Sequence, residues 1–385
     1  FGLFEKLYRQ IDHIQEEDSP IKLGFFGHFC WEVIQSIESV NVKNTDGPVF
    51  DFQIPKMLIV FDHAQQTLSI TQSDTKPIAS VSNIEALYNS IKQPLSNTVK
   101  ASISKPVEMD WDKVDFKWSK DGYEDAVLKI KEHIKEGDIF QAVLSQRFTV
   151  QTKQDSLSIY RALRHINPSP YMFYFNYGDY KLIGSSPEIL VKSTAGKAVL
   201  RPIAGTRKRT FKNEDELIED LKNDEKEVAE HIMLVDLGRN DLRRVCHFDS
   251  INVNDLMTIE RYSHVLHMVT NVEGTLKNNV TPIDLFKATF PAGTVSGAPK
   301  IKAIEIINGL EPIARDAYSG SVGYFSFDGD CDFCISIRTI IQNEDGYHVQ
   351  AGAGIVNDSI PENEYNETKS KAQGILLACL TGDDE

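Results

Sequence analysis

The sequence predicts an α+β protein, and three observations support this class. Strand-like runs follow one another as neighbours, as in residues 172–177 and 181–191 across a turn at Gly178. Strands joined by so short a turn pair antiparallel. Helical stretches alternate with the strands irregularly, without the regular order of βαβ units. The chain of 385 residues is also long enough to bury a sizeable core. We therefore expect antiparallel sheets with helices packed against them.

Periodicity places the individual elements. A helix is predicted over residues 122–136 and further strands over 56–61, 67–71, 139–148, 323–327 and 331–341. The polar stretch 91–108, which contains Pro94 and Pro106, is interpreted as a connecting segment. It divides the chain into an N-terminal part, 1–98, and a second region, 111–385. Because the sequence begins at Phe1 without an initiator methionine, we expect the N-terminal part to be truncated.

Composition excludes several function classes. The 41 Lys and Arg residues face 56 Asp and Glu residues, and the net charge of -15 disfavours nucleic acid as a partner. No apolar stretch approaches the roughly 20 residues of a membrane span. The odd number of cysteines, five, favours a reducing cytoplasm over a disulfide framework. Cys331 and Cys334 form a CxxC, but on a strand they would point to opposite faces, so redox or zinc chemistry is not expected.

Two predicted helices each carry a pair of carboxylates three residues apart on one helix face. The pairs are Glu227 with Glu230 and Glu364 with Glu367. One explanation is a solvated face, with Glu367 paired to Lys371 four residues on. The other is a hard divalent cation such as Mg²⁺, which oxygen ligands hold beside an anionic substrate. The spacing by itself leaves both explanations open.

Several residues are candidates for contact with an anionic ligand. Arg338 lies in the predicted strand 331–341 on the face opposite to the apolar one, where a guanidinium can clamp a carboxylate or face solvent. Gly352 and Gly354 flank Ala353, which suits either a close approach of backbone amides to an anion or a tight turn. Thr294 follows Gly293 before a predicted helix start, a composition typical of anion-binding helix termini.

Acid and base candidates are fewer. Glu188 follows Pro187 in a predicted strand, and a carboxylate in an apolar run can act as a general acid when burial raises its pKa, although an edge-strand glutamate is the commoner case. His264 and His267 lie in an alternating segment and differ by an odd number. Only one of them can therefore face a given pocket, and structural histidines are common in such segments.

Ten blocks between Gly137 and Ala372 jointly resemble one family. They are GDIFQAVLSQRF, NPSPYMF, SSPEILV, RPIAGTRKR, EKEVAEHIMLVDLGRNDL, YSHVLHMVTNVEGTL, FPAGTVSGAPK, GYFSFDGDCDFCISIRT, QAGAGIV and EYNETKSKA. In wording and order they are similar to the chorismate-utilising enzymes. The resemblance implies two antiparallel sheets packed as a sandwich with helices on the outside, and an active site in the cleft between layers.

Two positions indicate which reaction the resemblance implies. Members that add water carry a lysine base where this chain has Gln141, and an amide cannot deprotonate water. Aminodeoxychorismate synthases commonly have PIKGT where this chain has Ala204 in PIAGT, as anthranilate synthases do. The resemblance thus favours conversion of chorismate and ammonia to anthranilate and pyruvate. Aminodeoxychorismate synthase, isochorismate or salicylate synthase, and a non-catalytic chorismate or tryptophan sensor are the alternatives.

The resemblance also implies roles for individual residues. Glu188 is the acid for the departing hydroxyl, His267 serves the elimination of pyruvate, and Thr294 lines the ring. Tyr318 and Arg338, with backbone amides around Gly352, Ala353 and Gly354, hold the pyruvyl carboxylate. Mg²⁺ is held principally by Glu230 and Glu367, with Glu227 and Glu364 beside them. A tryptophan inhibitor pocket is implied at Pro170, Met172, Val322, Tyr324 and Cys334. Because this chain has no evident amidotransferase residues, a glutamine amidotransferase subunit is the expected partner.

Overall fold

The computed structural model describes residues 1–10, 21–72, 89, 108–209, 213–261 and 265–381. The boundary expected near residue 98, almost all of the linker predicted at 91–108, and His264 lie outside the described residues. Most of the predicted helices and strands lie within them.

Two antiparallel sheets form the centre of the described molecule. The first has nine strands: β1 Gly24–Phe29, β2 Phe50–Gln53, β9 Ile189–Thr194, β10 Lys197–Leu200, β11 Ile203–Lys208, β12 Asn252–Arg261, β13 Val265–Thr275, β15 Ser321–Ser326 and β16 Cys331–Ile335. The second has seven: β5 Asp115–Phe116, β6 Gln141–Val150, β7 Tyr171–Asn176, β8 Lys181–Ser186, β14 Gly297–Ala298, β17 Thr339–Asn343 and β18 Gly346–Ile355. A separate hairpin joins β3 Met57–Asp62 to β4 Thr67–Gln72.

Strand order brings distant parts of the chain together. The first sheet runs β11-β13-β10-β9-β16-β15-β1-β2, with β12 beside β13, and the second runs β14-β6-β18-β17-β8-β7, with β5 beside β6. β1, from the N-terminal part, pairs with β15, from the C-terminal part. The two parts of the predicted division therefore share one sheet.

The helices cover these sheets. Their bounds are α1 Gly2–Gln10, α2 Lys120–Glu136, α3 Ser156–Ile166, α4 Glu214–Asn223, α5 Glu225–Val245, α6 Pro282–Thr289, α7 Lys300–Leu310 and α8 Pro361–Leu380. Local sequence sets their ends. Asp224 caps the N-terminus of α5 by accepting hydrogen bonds from the Lys226 and Glu227 amides. Pro361 occupies the first turn of α8, where the amide that proline lacks has no helical partner.

Buried apolar clusters define the layers. One cluster lies between the two sheets and includes Val322 and Cys334 of the first sheet with Phe173 and Leu182 of the second. A larger cluster joins the other face of the first sheet to α1, α5, α6 and α7. Two more join the second sheet to α2, α3, α7 and α8. The α+β class and the sandwich of antiparallel sheets are thus confirmed. No helix within the described ranges is long and apolar enough to cross a membrane.

Two predicted strands are wrong in extent. The segment 181–191 divides into β8 of the second sheet and β9 of the first, and the segment 331–341 divides into β16 of the first sheet and β17 of the second. Each segment crosses from one sheet to the other, so it cannot continue as one pleated strand. The prediction that Cys331 and Cys334 point to opposite faces is confirmed, because both are buried and they pack in different clusters on the two sides of the first sheet.

Candidate active site

The two crossovers between the sheets lie side by side. Glu188 lies in the first crossover, between β8 and β9, and Arg338 in the second, between β16 and β17. The Ile335 amide donates to the Glu188 carbonyl at 2.9 Å, and the Ser185 amide donates to the Arg338 carbonyl at 3.1 Å. Arg338 has a φ of 52°, a conformation that a β-strand does not contain. The prediction that Glu188 and Arg338 lie in mid-strand is therefore wrong. Both residues lie where the chain crosses from one sheet to the other, and we call these two adjacent crossovers the seam of the sandwich.

Glu188 has the properties of a general acid. Its carboxylate accepts a hydrogen bond of 2.9 Å from the Thr294 hydroxyl. Burial raises the pKa of Glu188 to about 7, although the Thr294 hydrogen bond and the Lys371 charge oppose the rise. Glu188 and Thr294 both line a cleft that is partly open to solvent, with Leu237 of α5 on another wall. A substantial fraction of this carboxyl therefore carries a proton at neutral pH.

Arg338 is a partly buried cation without an anionic partner. Within the part of the chain that the structure describes, its guanidinium has no hydrogen bond or ion pair to a protein group. Burial lowers the pKa of Arg338, as expected for a desolvated cation without a nearby anion. A desolvated guanidinium of this kind is suited to bidentate binding of a carboxylate.

His267 of β13 lies near this guanidinium. Burial is the main cause of a lowered pKa of His267, the backbone of Gly205 opposes it through a hydrogen bond, and the Arg338 charge lowers the pKa further. The imidazole is therefore predominantly neutral at pH 7 and able to accept a proton. Neighbouring Ala204 is buried in β11 and pairs with Met268.

Gly352, Ala353 and Gly354 lie within β18, paired to β6, so the alternative of a tight turn is wrong. A Cβ on Gly352 would stand 2.7 Å from the Tyr318 hydroxyl, and one on Gly354 would stand 2.8 Å from the Gln141 amide nitrogen. The glycines therefore allow these two side chains to lie against the strand. Lys371 donates to the Gly352 carbonyl at 2.9 Å, so this backbone group faces α8 and not β6.

The four predicted carboxylate ligands lie on α5 and α8. Glu230 accepts a hydrogen bond of 3.1 Å from Gln141, and Glu227 pairs with Arg207 at 3.1 Å. Glu367 pairs with Lys371 at 2.8 Å, the contact that the solvated-face explanation predicted.

Charges on one acidic helix act on carboxylates of the other. Burial raises the pKa of Glu364, Ser359 lowers it by a hydrogen bond, Glu367 raises it, and the charges of Lys226 and Lys371 lower it. Because Lys226 belongs to α5, the two acidic helices face each other at this point. Burial and Glu230 likewise raise the pKa of Glu227, against the effect of Arg207.

The donor set fits a hard divalent cation in its chemistry. All four side chains offer carboxylate oxygens, the ligands that Mg²⁺ prefers, and like-charge repulsion within both pairs favours a cation between them. Each carboxylate also has a cation or amide close to it. In the described residues, no three of the four bring oxygen atoms within 4.8 Å of one another. Convergence on an ion would therefore require these partners to be released or shared.

The residues of the predicted inhibitor pocket do not share one surface. Val322 and Cys334 are cross-strand partners in the cluster between the sheets, and the Tyr324 ring stacks on Phe26 with centroids 5.3 Å apart. Met172 packs instead with the outer cluster of α3 and α8. Pro170 is exposed just before β7.

Sequence reasoning missed three residues that the structure places at these sites. Lys371 contacts Glu367 and the Gly352 carbonyl and acts on the charge of Glu188. Arg207 contacts Glu227, and Tyr171 donates to Asp332 at 3.0 Å beside Tyr324. Only the spacing of Glu367 and Lys371 gave a signal, and it predicted a solvated ion pair, not a link between three elements.

Comparison with known proteins agrees with this arrangement. The family described as chorismate binding enzyme matches residues 3–377. Anthranilate synthase component 1 of Acetivibrio thermocellus is 46% identical over 371 residues, covering 92% of this chain and 74% of the relative. The same component of Aquifex aeolicus is 46% identical over 367 residues with the same coverage. The crystal structure of anthranilate synthase component I from Streptococcus pneumoniae TIGR4 is 36% identical, with a TM-score of 0.83 over 96% of this chain and 84% of that chain.

These matches span both sheets and both acidic helices, so they include every residue that the seam of the sandwich brings together. The chain therefore belongs to the chorismate binding enzyme family.

Proposed function

We propose that this chain is the large subunit of an anthranilate synthase, a lyase that converts chorismate and ammonia to anthranilate and pyruvate for tryptophan biosynthesis. One observation carries the proposal: the two neighbouring crossovers hold a carboxyl with a pKa of about 7, Glu188, and an arginine without an anionic partner, Arg338. Chorismate requires both groups, because it has carboxylates to bind and a hydroxyl that must leave as water.

Substrate orientation is assigned to the residues around the seam. Arg338 and Tyr318, with the backbone of Gly352 to Gly354, bind the pyruvyl carboxylate. Thr294 lies against the ring and holds the Glu188 carboxyl by its hydrogen bond. Binding in one orientation lowers the entropic cost of the reaction.

In the first step, ammonia forms a bond to the ring carbon next to the carboxylated carbon. The double bonds shift, the C–O bond to the ring hydroxyl breaks, and Glu188 supplies the proton with which the hydroxyl leaves as water. The product is aminodeoxyisochorismate. Gln141 has no basic group, which supports ammonia, already a nucleophile, over water in this step.

In the second step, pyruvate is eliminated. The ring carbon that bears the amino group loses a proton, the bond to the enolpyruvyl oxygen breaks, and the enolpyruvyl methylene gains a proton, so that anthranilate and pyruvate leave. His267 is assigned to this step because its lowered pKa keeps the imidazole neutral and able to accept a proton. Aromatisation makes the step effectively irreversible.

Glu227, Glu230, Glu364 and Glu367 would hold Mg²⁺, as their oxygen donors and mutual repulsion support. When bound, the ion neutralises the ring carboxylate of chorismate. Glu230 and Glu367 are assigned as the principal ligands. Gln141, Arg207 and Lys371 stabilise the same carboxylates in the absence of the ion.

The remaining proposals concern partners and regulation. Ammonia is assigned to a glutamine amidotransferase subunit, and tryptophan to a pocket around Pro170, Met172, Val322, Tyr324 and Cys334. The free, buried cysteines support a reducing, cytoplasmic location.

The test is an anthranilate fluorescence assay with chorismate, ammonium and Mg²⁺, repeated with EDTA. We expect anthranilate and pyruvate in equal amounts, and no product with EDTA. Glu367→Ala should abolish the Mg²⁺-dependent turnover, whereas Glu362→Ala, an exposed α8 glutamate paired with Lys120, should retain it. Accumulation of 4-amino-4-deoxychorismate, isochorismate or salicylate instead of anthranilate would refute the assignment.

A further inference from the structure

We propose that the buried Glu311–Arg315 ion pair is a positioning element of the active site. It holds in register the three segments that present Thr294, Gln141 and Tyr318. The inference rests on the proposed function, because it assigns the pair to the same catalytic seam. Both residues lie in the segment between α7 and β15, and their exposed fractions are 4% and 2%.

Every N–H group of the Arg315 guanidinium has an acceptor. Nε and Nη2 donate to the two Glu311 oxygens at 2.8 and 2.7 Å. Nη2 also donates to the Val143 carbonyl at 2.6 Å, and Nη1 donates to the Val295 carbonyl at 2.8 Å and to the Ser319 hydroxyl at 3.2 Å. The donors of one rigid plane thus fix the relative positions of three segments: the one between α7 and β15, the one that holds Val295, and β6.

Two of these acceptors adjoin site residues. Val295 directly follows Thr294, the hydrogen-bond donor to Glu188. Val143 lies in β6 two residues after Gln141, so the two side chains share a face of the strand. Glu311 reinforces this link, because its Oε1 accepts from the Ser145 amide and hydroxyl at 2.8 and 2.7 Å. The ion pair therefore joins the segment that carries Thr294 to the strand that carries Gln141.

The third link is to Tyr318. Its amide donates to the Arg315 carbonyl at 3.1 Å, and the Arg315 guanidinium carbon lies 5.6 Å from its ring centroid. Its hydroxyl in turn lies against Gly352, as the 2.7 Å distance to a Cβ built there indicates. A shift of the guanidinium would therefore move the hydroxyl assigned to the pyruvyl carboxylate.

Residues from the N-terminal part enclose the pair. The Arg315 guanidinium carbon lies 4.4 Å from the Trp31 ring centroid. One oxygen of buried Glu32 accepts from the Arg315 and Asp316 amides at 2.9 and 3.1 Å. Exclusion of water strengthens the pair, because charges interact more strongly in a medium of low dielectric constant. The Glu32 hydrogen bonds also connect the segment that holds the ion pair to a part of the chain remote from it in sequence.

The decisive variant is Arg315→Lys, which keeps the charge and loses the planar fork. We expect kcat/KM for chorismate to fall about a hundred-fold, as expected for a misplacement of about 1 Å. Without the anchor at Val295, the Thr294 hydrogen bond to Glu188 should weaken while Lys371 remains, so the pKa of Glu188 rises. The alkaline limb of the kcat profile should therefore move to higher pH.

Leu163→Ala is the matched control for lost stability. Leu163 is fully buried in α3, which carries no candidate site residue. Its truncation should lower the melting temperature without moving the alkaline limb. Should Arg315→Lys fail to fold, Glu311→Gln preserves the volume of the side chain and should move the same limb in the same direction by less.

The outcomes separate this inference from the proposed function. If the wild-type chain makes no anthranilate, the proposed function fails. If the wild type is active and Arg315→Lys, or Glu311→Gln in its place, keeps the wild-type pH profile, the positioning role is refuted. The same holds if the loss in kcat/KM equals that of Leu163→Ala at a matched interval below the melting temperature.

Discussion

Arg315 and Arg338 are both largely withdrawn from water, yet they differ in how completely their charges are paired. Arg315 has five acceptors, two of them on one carboxylate, whereas the Arg338 guanidinium has no such contact with any described residue. A paired buried charge fixes the positions of its partners, whereas an unpaired one is stabilised when it binds an anion. The paired Arg315 is therefore assigned to the structural framework, and the unpaired Arg338 to ligand binding.

Loss of the acid should have the largest effect on activity. Glu188→Gln keeps the shape and the contact with Thr294 but cannot donate a proton as an acid. We expect kcat to fall roughly 10²–10⁴-fold, with little change in KM for chorismate. Steady-state anthranilate fluorescence at pH 7 measures both constants. A kcat within tenfold of wild type would remove Glu188 from the mechanism.

Replacement of the two arginines should have different effects on the free energy of unfolding. Arg338→Met should lower kcat/KM for chorismate about a hundred-fold, the value of a lost bidentate contact of about 3 kcal/mol. Its free energy of unfolding should equal or exceed that of wild type, because an uncompensated charge is removed. Arg315→Met should instead lose about 3–5 kcal/mol, since Glu311 remains buried without its partner.

Urea denaturation of both variants checks this contrast. Equal destabilisation of the two would mean that Arg338 has a structural partner in the folded state and is not reserved for an anionic ligand.

Glu188 should make the free energy of unfolding depend on pH. The folded-state pKa of Glu188, about 7, is above the ordinary glutamate pKa of 4.5. The stabilisation of the protonated form is therefore fully present below pH 4.5 and is lost as the pH rises through 7. Relative to Glu188→Gln, the free energy of unfolding of wild type should fall by roughly 2.5 kcal/mol between pH 5 and 8. Urea midpoints at these pH values give the difference, and parallel curves would contradict it.

The smallest effect on activity is expected at the contact between Gly352 and Tyr318. Gly352→Ala places a Cβ 2.7 Å from the Tyr318 hydroxyl, which should move this side chain and raise KM for chorismate about tenfold. Gly309→Ala in α7 is the control, because a Cβ there meets no atom within 4 Å. It should stabilise the protein by about 0.5–1 kcal/mol without changing KM. Equal KM values for the two variants would exclude a close Tyr318–Gly352 contact during binding.

The sequence by itself determined much of the fold and the chemical character of the site. Hydrophobic periodicity predicted the α+β class, and the spacing of Glu227 with Glu230 and of Glu364 with Glu367 placed each pair on one helix face. Alternation predicted that Cys331 and Cys334 point to opposite faces. All of these follow from local geometry, which repeats every 3.6 or 2 residues.

Only the tertiary structure decided which residues meet. The crossovers at Glu188 and Arg338 continue the alternation of their strands, so local pattern could not separate the two sheets there. Likewise, Lys371 gave only a helical ion-pair signal, although it reaches the Gly352 carbonyl, and Arg315 gave none. Contacts between residues far apart in sequence depend on strand order and sheet packing, and a period of a few residues carries no information about either.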